Sequence, residues 1–225
     1  MNISSETVAV LKNFSDINQG IVVNVGNKIQ TISTLKNILA EAEIGEKFEQ
    51  EFAIYDLPEF LRAVDLFDKA TLNFNGGQKL TIKDANGKQS IKYYFADKSV
   101  VVAPTKPITM PDKFVTFQLT KEMFTKLMKG VNTLGLPDVA VEGDGSTIKL
   151  VALDKKTPSS NDYSIEVGAT DKTFKAYFKT ENLKMIMGDY DVSISQQKIS
   201  HFINRTQKVQ YWTFWLLFTK CEIFA

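Results

Sequence analysis

The sequence predicts an α+β protein made of two similar halves, each with antiparallel strands on one side and two helices on the other. Three observations predict it. Helix signals behind N-capping residues recur in both halves. Period-two apolar alternation follows them in a similar order. Three of the six prolines fall in one short segment near the middle of the chain.

The first half opens with Ser5 and Glu6 ahead of Val8, Leu11, Phe14 and Ile17, an apolar face at helical spacing behind an N-cap. Past Gly20, residues 21–25 and 28–32 read as strands around a Gly26-Asn27 turn. Residues 48–55 alternate strictly and predict a strand with one buried face. Asp56-Leu57-Pro58-Glu59 is a capping box with proline in the first turn, and it leads into Phe60, Leu61, Val64 and Leu66. Strands are expected at 70–74, 79–84 and 90–95.

The second half repeats this plan. Thr120 caps a helix carrying Met123, Phe124, Leu127, Met128 and Val131, closed by Gly135. Residues 139–142 and 147–153 predict a hairpin across Gly143-Asp144-Gly145. An alternating strand at 174–179 runs into a second helix, Thr180-Glu181 with Leu183, Met185, Ile186 and Met187, closed by Gly188. Strands follow at 191–195, 199–204 and 208–212. Between the halves, Pro104, Pro107 and Pro111 fix φ and remove ladder donors, so the segment is an extended connector. The domains expected are 1–100, a connector at 101–113, 114–212, and a tail at 213–225.

Composition narrows function. With 225 residues, 44% hydrophobic and 24% charged, the chain is an ordinary folded one. One histidine, His201, and one cysteine, Cys221, leave no internal disulfide, no Cys/His zinc cluster and no nameable catalytic set. The acidic groupings Glu41-x-Glu43, Glu49-x-Glu51 and Asp189-x-Asp191 have no histidine beside them and read as solvated faces rather than metal ligands. Gly76-Gly77 and Gly143-Asp144-Gly145 sit where hairpin turns belong, not phosphate loops. The N-terminus lacks a secretory pattern, and the longest apolar run, 211–218, is far short of the roughly 20 residues a membrane helix needs. A cytosolic, non-enzymatic protein without a membrane segment is expected.

The 27 basic and 26 acidic residues balance, so the whole chain has no field that draws nucleic acid. Placement is more informative. The helix after Thr120 carries Lys121, Lys126 and Lys129 against Glu122 alone, while Lys12 and Arg62 lie on the first-half helices and Lys184 on the last. Lysines on amphipathic helices are ordinarily just solvated, and from the residues alone that is the better account.

Four segments are similar to the DNA polymerase sliding clamps of T-even-type tailed bacteriophages, relatives of the eukaryotic and archaeal clamp fold. They are Val10-Leu11-Lys12-Asn13-Phe14, Ala53-Ile54-Tyr55-Asp56-Leu57, Val101-Val102-Ala103-Pro104-x-Lys106-Pro107-Ile108 and Gly188-Asp189-Tyr190-Asp191. The resemblance spans about residues 1–212 and implies a definite function. It implies a homotrimeric ring with a sheet outside and helices lining the hole, which encircles duplex DNA without sequence preference and tethers the replicative polymerase as a processivity factor. An ATP-dependent clamp loader would open the ring, and a sigma-like factor and a co-activator would use it in late transcription. No cofactor or metal is implied, and the setting is the cytoplasm of the infected bacterial host.

Carried onto this sequence, the resemblance makes Lys12, Arg62, Lys121, Lys126, Lys129 and Lys184 the candidate DNA-facing residues. It makes Val101, Val102, Ala103, Pro104, Pro107 and Ile108 the candidate rim of an apolar pocket that takes short hydrophobic tails of partner proteins. By analogy, ring closure would pair edge strands near residues 98–102 and 162–168. The chain departs from the family at its end. Residues 213–225 are unusually apolar, which suggests either a frame shift after about Trp212 or a natural divergent tail. The competing class is a non-enzymatic structural or virion assembly protein with a duplicated β-rich domain.

Overall fold

The computed structural model describes residues 1–215 and 218–219. The chain forms two compact units, Met1–Pro107 and a second from Ile108 onward.

In the first unit, α1 (Ser5–Ile17) starts at Ser4, whose hydroxyl accepts the Thr7 N–H and so satisfies one orphan donor of the first turn. Leu11, Phe14 and Ile17 form its buried stripe. Then come β1 (Ile21–Val23), β2 (Gly26–Ile32), β3 (Ile38–Phe48), β4 (Phe52–Ile54), α2 (Leu57–Asp65), β5 (Thr71–Phe74), β6 (Lys79–Lys83) and β7 (Ser90–Tyr94). Asp56 caps α2, accepting the Glu59 N–H at 2.7 Å, with Pro58 in the first turn. β5, β6 and β7 form a three-stranded antiparallel sheet with β7 at one edge.

Three first-half expectations change. The strand at 21–25 does not pair with its successor. β1 pairs with β4, Ile21 opposite Ile54 and Val23 opposite Phe52, while β2 pairs with β3. Gly26, at φ +119°, begins β2 opposite Phe48 with a register shift behind it, so it redirects the chain instead of closing a two-strand turn. The alternating stretch 48–55 is also not one strand: β3 ends at Phe48 and β4 begins at Phe52. The rings of Phe48 and Phe52 meet at 5.3 Å in a cluster with Phe74 and Phe95, so alternation persists across the turn because both rings enter one core. The residues at 98–100 are not an edge strand. Asp97 accepts the Ser99 N–H and caps a short 3-10 turn, Lys98–Val100.

The second unit runs β8 (Val115–Leu119), α3 (Lys121–Leu134), β9 (Asp138–Asp144), β10 (Thr147–Leu153), β11 (Tyr163–Ala169), β12 (Thr173–Lys179), β13 (Tyr190–Ile194), β14 (Ile199–Asn204), β15 (Val209–Phe214) and β16 (Phe218–Thr219). One antiparallel sheet is ordered β11-β10-β9-β12-β16, and a second set joins β8, β13, β14 and β15. Thr120 caps α3 through the Met123 N–H, and Gly135 ends it. Phe124 and Leu127 of α3 pack into a core with Leu150, Phe178 and Phe202.

The second helix expected here is absent. Thr180–Asn182 is a single 3-10 turn, and residues 183–189 carry no regular structure. The Thr180 N–H and hydroxyl both bond the Pro137 carbonyl, so Thr180 does not cap. Further on, Ile186 donates its N–H to the Tyr211 hydroxyl and accepts from that of Tyr190. Side chains from β13 and β15 thus occupy backbone groups that a helix would bond internally. Burial pushes the Tyr190 phenol up to about 12, and it pushes Tyr211 up as well, so both stay neutral.

β15 continues through Phe214, and Trp212 and Trp215 are buried, so ordered structure passes residue 212. Residues 216–217 and 220–225 of the expected tail, with Cys221, lie outside the described residues. No helix among the described residues is long and apolar enough to cross a membrane.

Candidate functional site

The candidate DNA-facing residues lie on exposed surface. On α1, Ser5, Ala9, Lys12 and Asp16 share the face opposite the buried stripe, and on α2 Arg62 is exposed beside Glu59 and Asp65. The α1 face balances one base against one acid, and the α2 face carries more acid than base. The excess of positive charge is on α3, where Lys121, Lys126 and Lys129 are exposed. Lys126 is held by Glu122 one turn away at 2.7 Å, whereas Lys121 and Lys129 make no ion pair among the described residues. Lys184 is exposed as well, on the irregular segment after the 3-10 turn and not on a helix.

The acidic groupings have structural partners. Asp189 accepts the Lys121 N–H at 2.7 Å and adds a second anchor to the start of α3. Asp191 faces Arg205 at 3.7 Å, and Glu41 faces Lys28 at 3.0 Å. Among the described residues, no three His, Cys, Asp or Glu side chains are grouped to hold a metal ion.

The start of the connector forms one wall of a cleft of about 370 Å³ in the first unit. Ile17, Asn18, Gln19, Gly20, Thr34, Tyr55 and Val100, Val101, Val102 line it, with no charged side chain among them. Tyr55 and Val100 are well exposed at its rim, and Leu35, next to Thr34, is 78% exposed. Such apolar exposure beside a concave surface is what a docking site for an apolar segment requires. Of the six connector candidates, Val101 and Val102 line this cleft; Ala103, Pro104, Pro107 and Ile108 do not.

Sequence reasoning missed Asn18, Gly20 and Thr34. Gly20 has a close-packing role: a Cβ there would stand 3.1 Å from Cγ1 of Val101 and 3.2 Å from the Ile54 carbonyl oxygen. Only the glycine at a helix exit hinted at it. The later end of the connector is tied within the second unit. Asp112 accepts from the Ser195 hydroxyl at 2.7 Å and the Gln196 N–H at 3.2 Å, and the Lys172 ammonium lies 4.6 Å over the Phe114 ring.

Two α+β units with capped helices packed on antiparallel strands, joined through a proline-stiffened segment, define a protein of the sliding-clamp fold. Solved structures agree. The chain is similar to proliferating cellular nuclear antigen from Entamoeba histolytica, with a TM-score of 0.70 and 13% identity over 93% of this chain and 94% of that one. It is also similar to a chain of the PCNA2-PCNA3 complex from Sulfolobus tokodaii, with a TM-score of 0.65 and 12% identity over 92% and 94%. Residues 4–103 match the family profile described as DNA polymerase processivity factor, and residues 116–212 match that of the gp45 sliding clamp, C terminal. The sliding clamp of Vibrio phage KVP40 is 35% identical over 90% of this chain and 94% of its own length. That of Enterobacteria phage T4 is 32% identical over 84% and 85%, and that of Escherichia phage RB69 is 28% identical over 86% and 87%. The chain belongs to the phage sliding-clamp family of DNA polymerase processivity factors, which displaces the assembly-protein alternative.

Proposed function

We propose that three copies of this chain close into a ring around duplex DNA, and that the ring tethers the phage's replicative polymerase without reacting chemically with either. The observation that carries this reading is that the two halves match the processivity-factor and sliding-clamp profiles of one family in chain order. The weak, uneven basic charge on the helix faces suits the role. Lys121, Lys129 and Lys126 on α3 would meet phosphates most strongly, with Lys12, Arg62 and Lys184 contributing less. Phosphate contacts are blind to sequence, and few of them let a ring slide instead of gripping.

Two edge strands support ring closure by backbone pairing between copies: β7, with Lys92 exposed, and β11, with Glu166 exposed. The uncharged cleft beside Val101 and Val102 is the place where the polymerase docks an apolar segment, with Pro104 and Pro107 stiffening the chain beyond it. The clamp loader and the late-transcription factors would compete for the same cleft in the cytoplasm of the infected host.

Retention on DNA tests the ring. After loading, the clamp remains on nicked circular DNA and runs off linear DNA with free ends, and its mass in solution is about three times 25.3 kDa. Equal retention on both DNA forms overturns the reading.

A further inference from the structure

Among the described residues that line the cleft, the one buried polar side chain is that of Asn18, the residue that ends α1. Its Nδ2 donates to two carbonyls from different segments, Ile32 at 2.9 Å and Val102 at 2.9 Å. Its Oδ1 accepts the Gly20 N–H at 3.1 Å. Ile32 ends β2 just before Thr34, which lines one wall of the cleft, and Val102 belongs to the connector, which forms another. One amide therefore spans both walls, reaching carbonyls 14 and 84 residues further along the chain.

We propose that Asn18 is the positioning residue of the partner cleft: its amide fixes the connector wall against the β2 wall, so that an incoming apolar peptide segment meets a preformed groove. This rests on the reading of the cleft as the polymerase-docking site. Several contacts point to Asn18. Connector residues 101–113 form no helix or strand, so the first anchor of the connector decides how much its rim wanders. Val101 packs within close range of Gly20, two residues from Asn18, and the Gln19 carbonyl accepts the Leu57 N–H at 2.7 Å, tying the same corner to the start of α2. A rim ordered before binding spares the docking peptide the ordering cost. Neither aspartate nor alanine does the same work: an aspartate keeps the oxygen that Gly20 uses but turns an oxygen toward two carbonyls, and an alanine leaves both carbonyls without their donor.

The test is equilibrium binding of the full-length clamp to the phage's own DNA polymerase immobilised on a surface, read together with amide hydrogen exchange at residues 100–103. Asn18→Asp and Asn18→Ala are both expected to weaken polymerase binding about tenfold or more and to speed exchange at those amides. Val192→Ala, a core variant in β13, serves as the control for general destabilisation and is expected to leave binding unchanged. Val102→Asp places a charge in the cleft itself. If Val102→Asp weakens binding while both Asn18 variants bind as wild type, the positioning role is overturned and the docking site stands. If Val102→Asp binds as wild type, the docking reading fails and takes this inference with it. If Asn18→Ala weakens binding no more than Val192→Ala does, the residue is merely structural and the proposal is overturned.

Discussion

Gly130 of α3 lies against the ring of Tyr163 on β11: a Cβ at that position would stand 2.5 Å from Cδ1 of the tyrosine. A mid-helix glycine costs about 1 kcal/mol relative to alanine, so its presence here reflects how closely the helix approaches the edge strand. Gly130→Ala gains that propensity but overpacks the contact, which costs about 1–3 kcal/mol. The net expectation is destabilisation by about 1 kcal/mol, read as a lowered thermal midpoint, with relief in the double variant Gly130→Ala/Tyr163→Ala. A midpoint raised by Gly130→Ala alone would show that Tyr163 yields freely.

Asp138 is fully buried, and its carboxylate meets the part-exposed Lys179 ammonium at 2.7 Å as a charge contact rather than an aligned hydrogen bond. The Lys155 N–H adds a longer bond to the other oxygen at 3.3 Å. Lys179→Met therefore strands a buried carboxylate and is expected to cost about 3 kcal/mol, whereas Asp138→Leu/Lys179→Met together cost less than Lys179→Met alone. Chemical denaturation of the single and double variants measures the difference.

Glu46 of β3 accepts from the Ser4 N–H and the Thr7 hydroxyl at the start of α1. Partial burial pushes its carboxyl up, but the hydrogen bonds from Thr7 and Ser4 outweigh that and hold it below the usual carboxylate range. A depressed carboxylate stabilises the fold above its unfolded value of about 4.3, and that contribution is lost as pH falls through the lower folded value. Thermal midpoints measured between neutral pH and about pH 3 are expected to fall more steeply for the wild type than for Glu46→Gln. Parallel curves would remove Glu46 from the acid response.

On α3, Glu122 competes for Lys126 but not for Lys121 or Lys129. Lys121→Glu/Lys129→Glu should shorten the lifetime of the loaded clamp on nicked circular DNA more than Lys126→Glu does. Each lysine that truly faces phosphate should also lower the slope of log lifetime against log salt by about one unit. Slopes that do not change would place these lysines away from the DNA.

Much of the fold was legible because its signals are local. Asp56 and Thr120 cap helices through bonds three residues long, and such bonds need nothing from the rest of the chain, while the first helix is capped by Ser4, one residue before the Ser5 that the sequence pointed to. The β9–β10 hairpin and β14 were equally visible. β8 and most of β3 were overlooked, and the partner of β1 was mistaken for the nearest strand, because strand pairing is decided by burial against distant segments. The connector's extended form was readable from its prolines, but the cleft beside it depended on Asn18, an ordinary polar residue at a helix end with no motif around it.

By itself the sequence determined the duplicated α+β plan, the capped helices, the extended connector and the scarcity of reactive side chains, since propensity, capping and proline geometry act within a few residues. Besides the strand pairing, the tertiary structure alone decided two things. It removed the helix after Thr180, because hydroxyls from Tyr190 and Tyr211 reach Ile186 from other strands. It also joined Ile32 and Val102 through the Asn18 amide, a contact that exists only once residues 84 positions apart have been brought together.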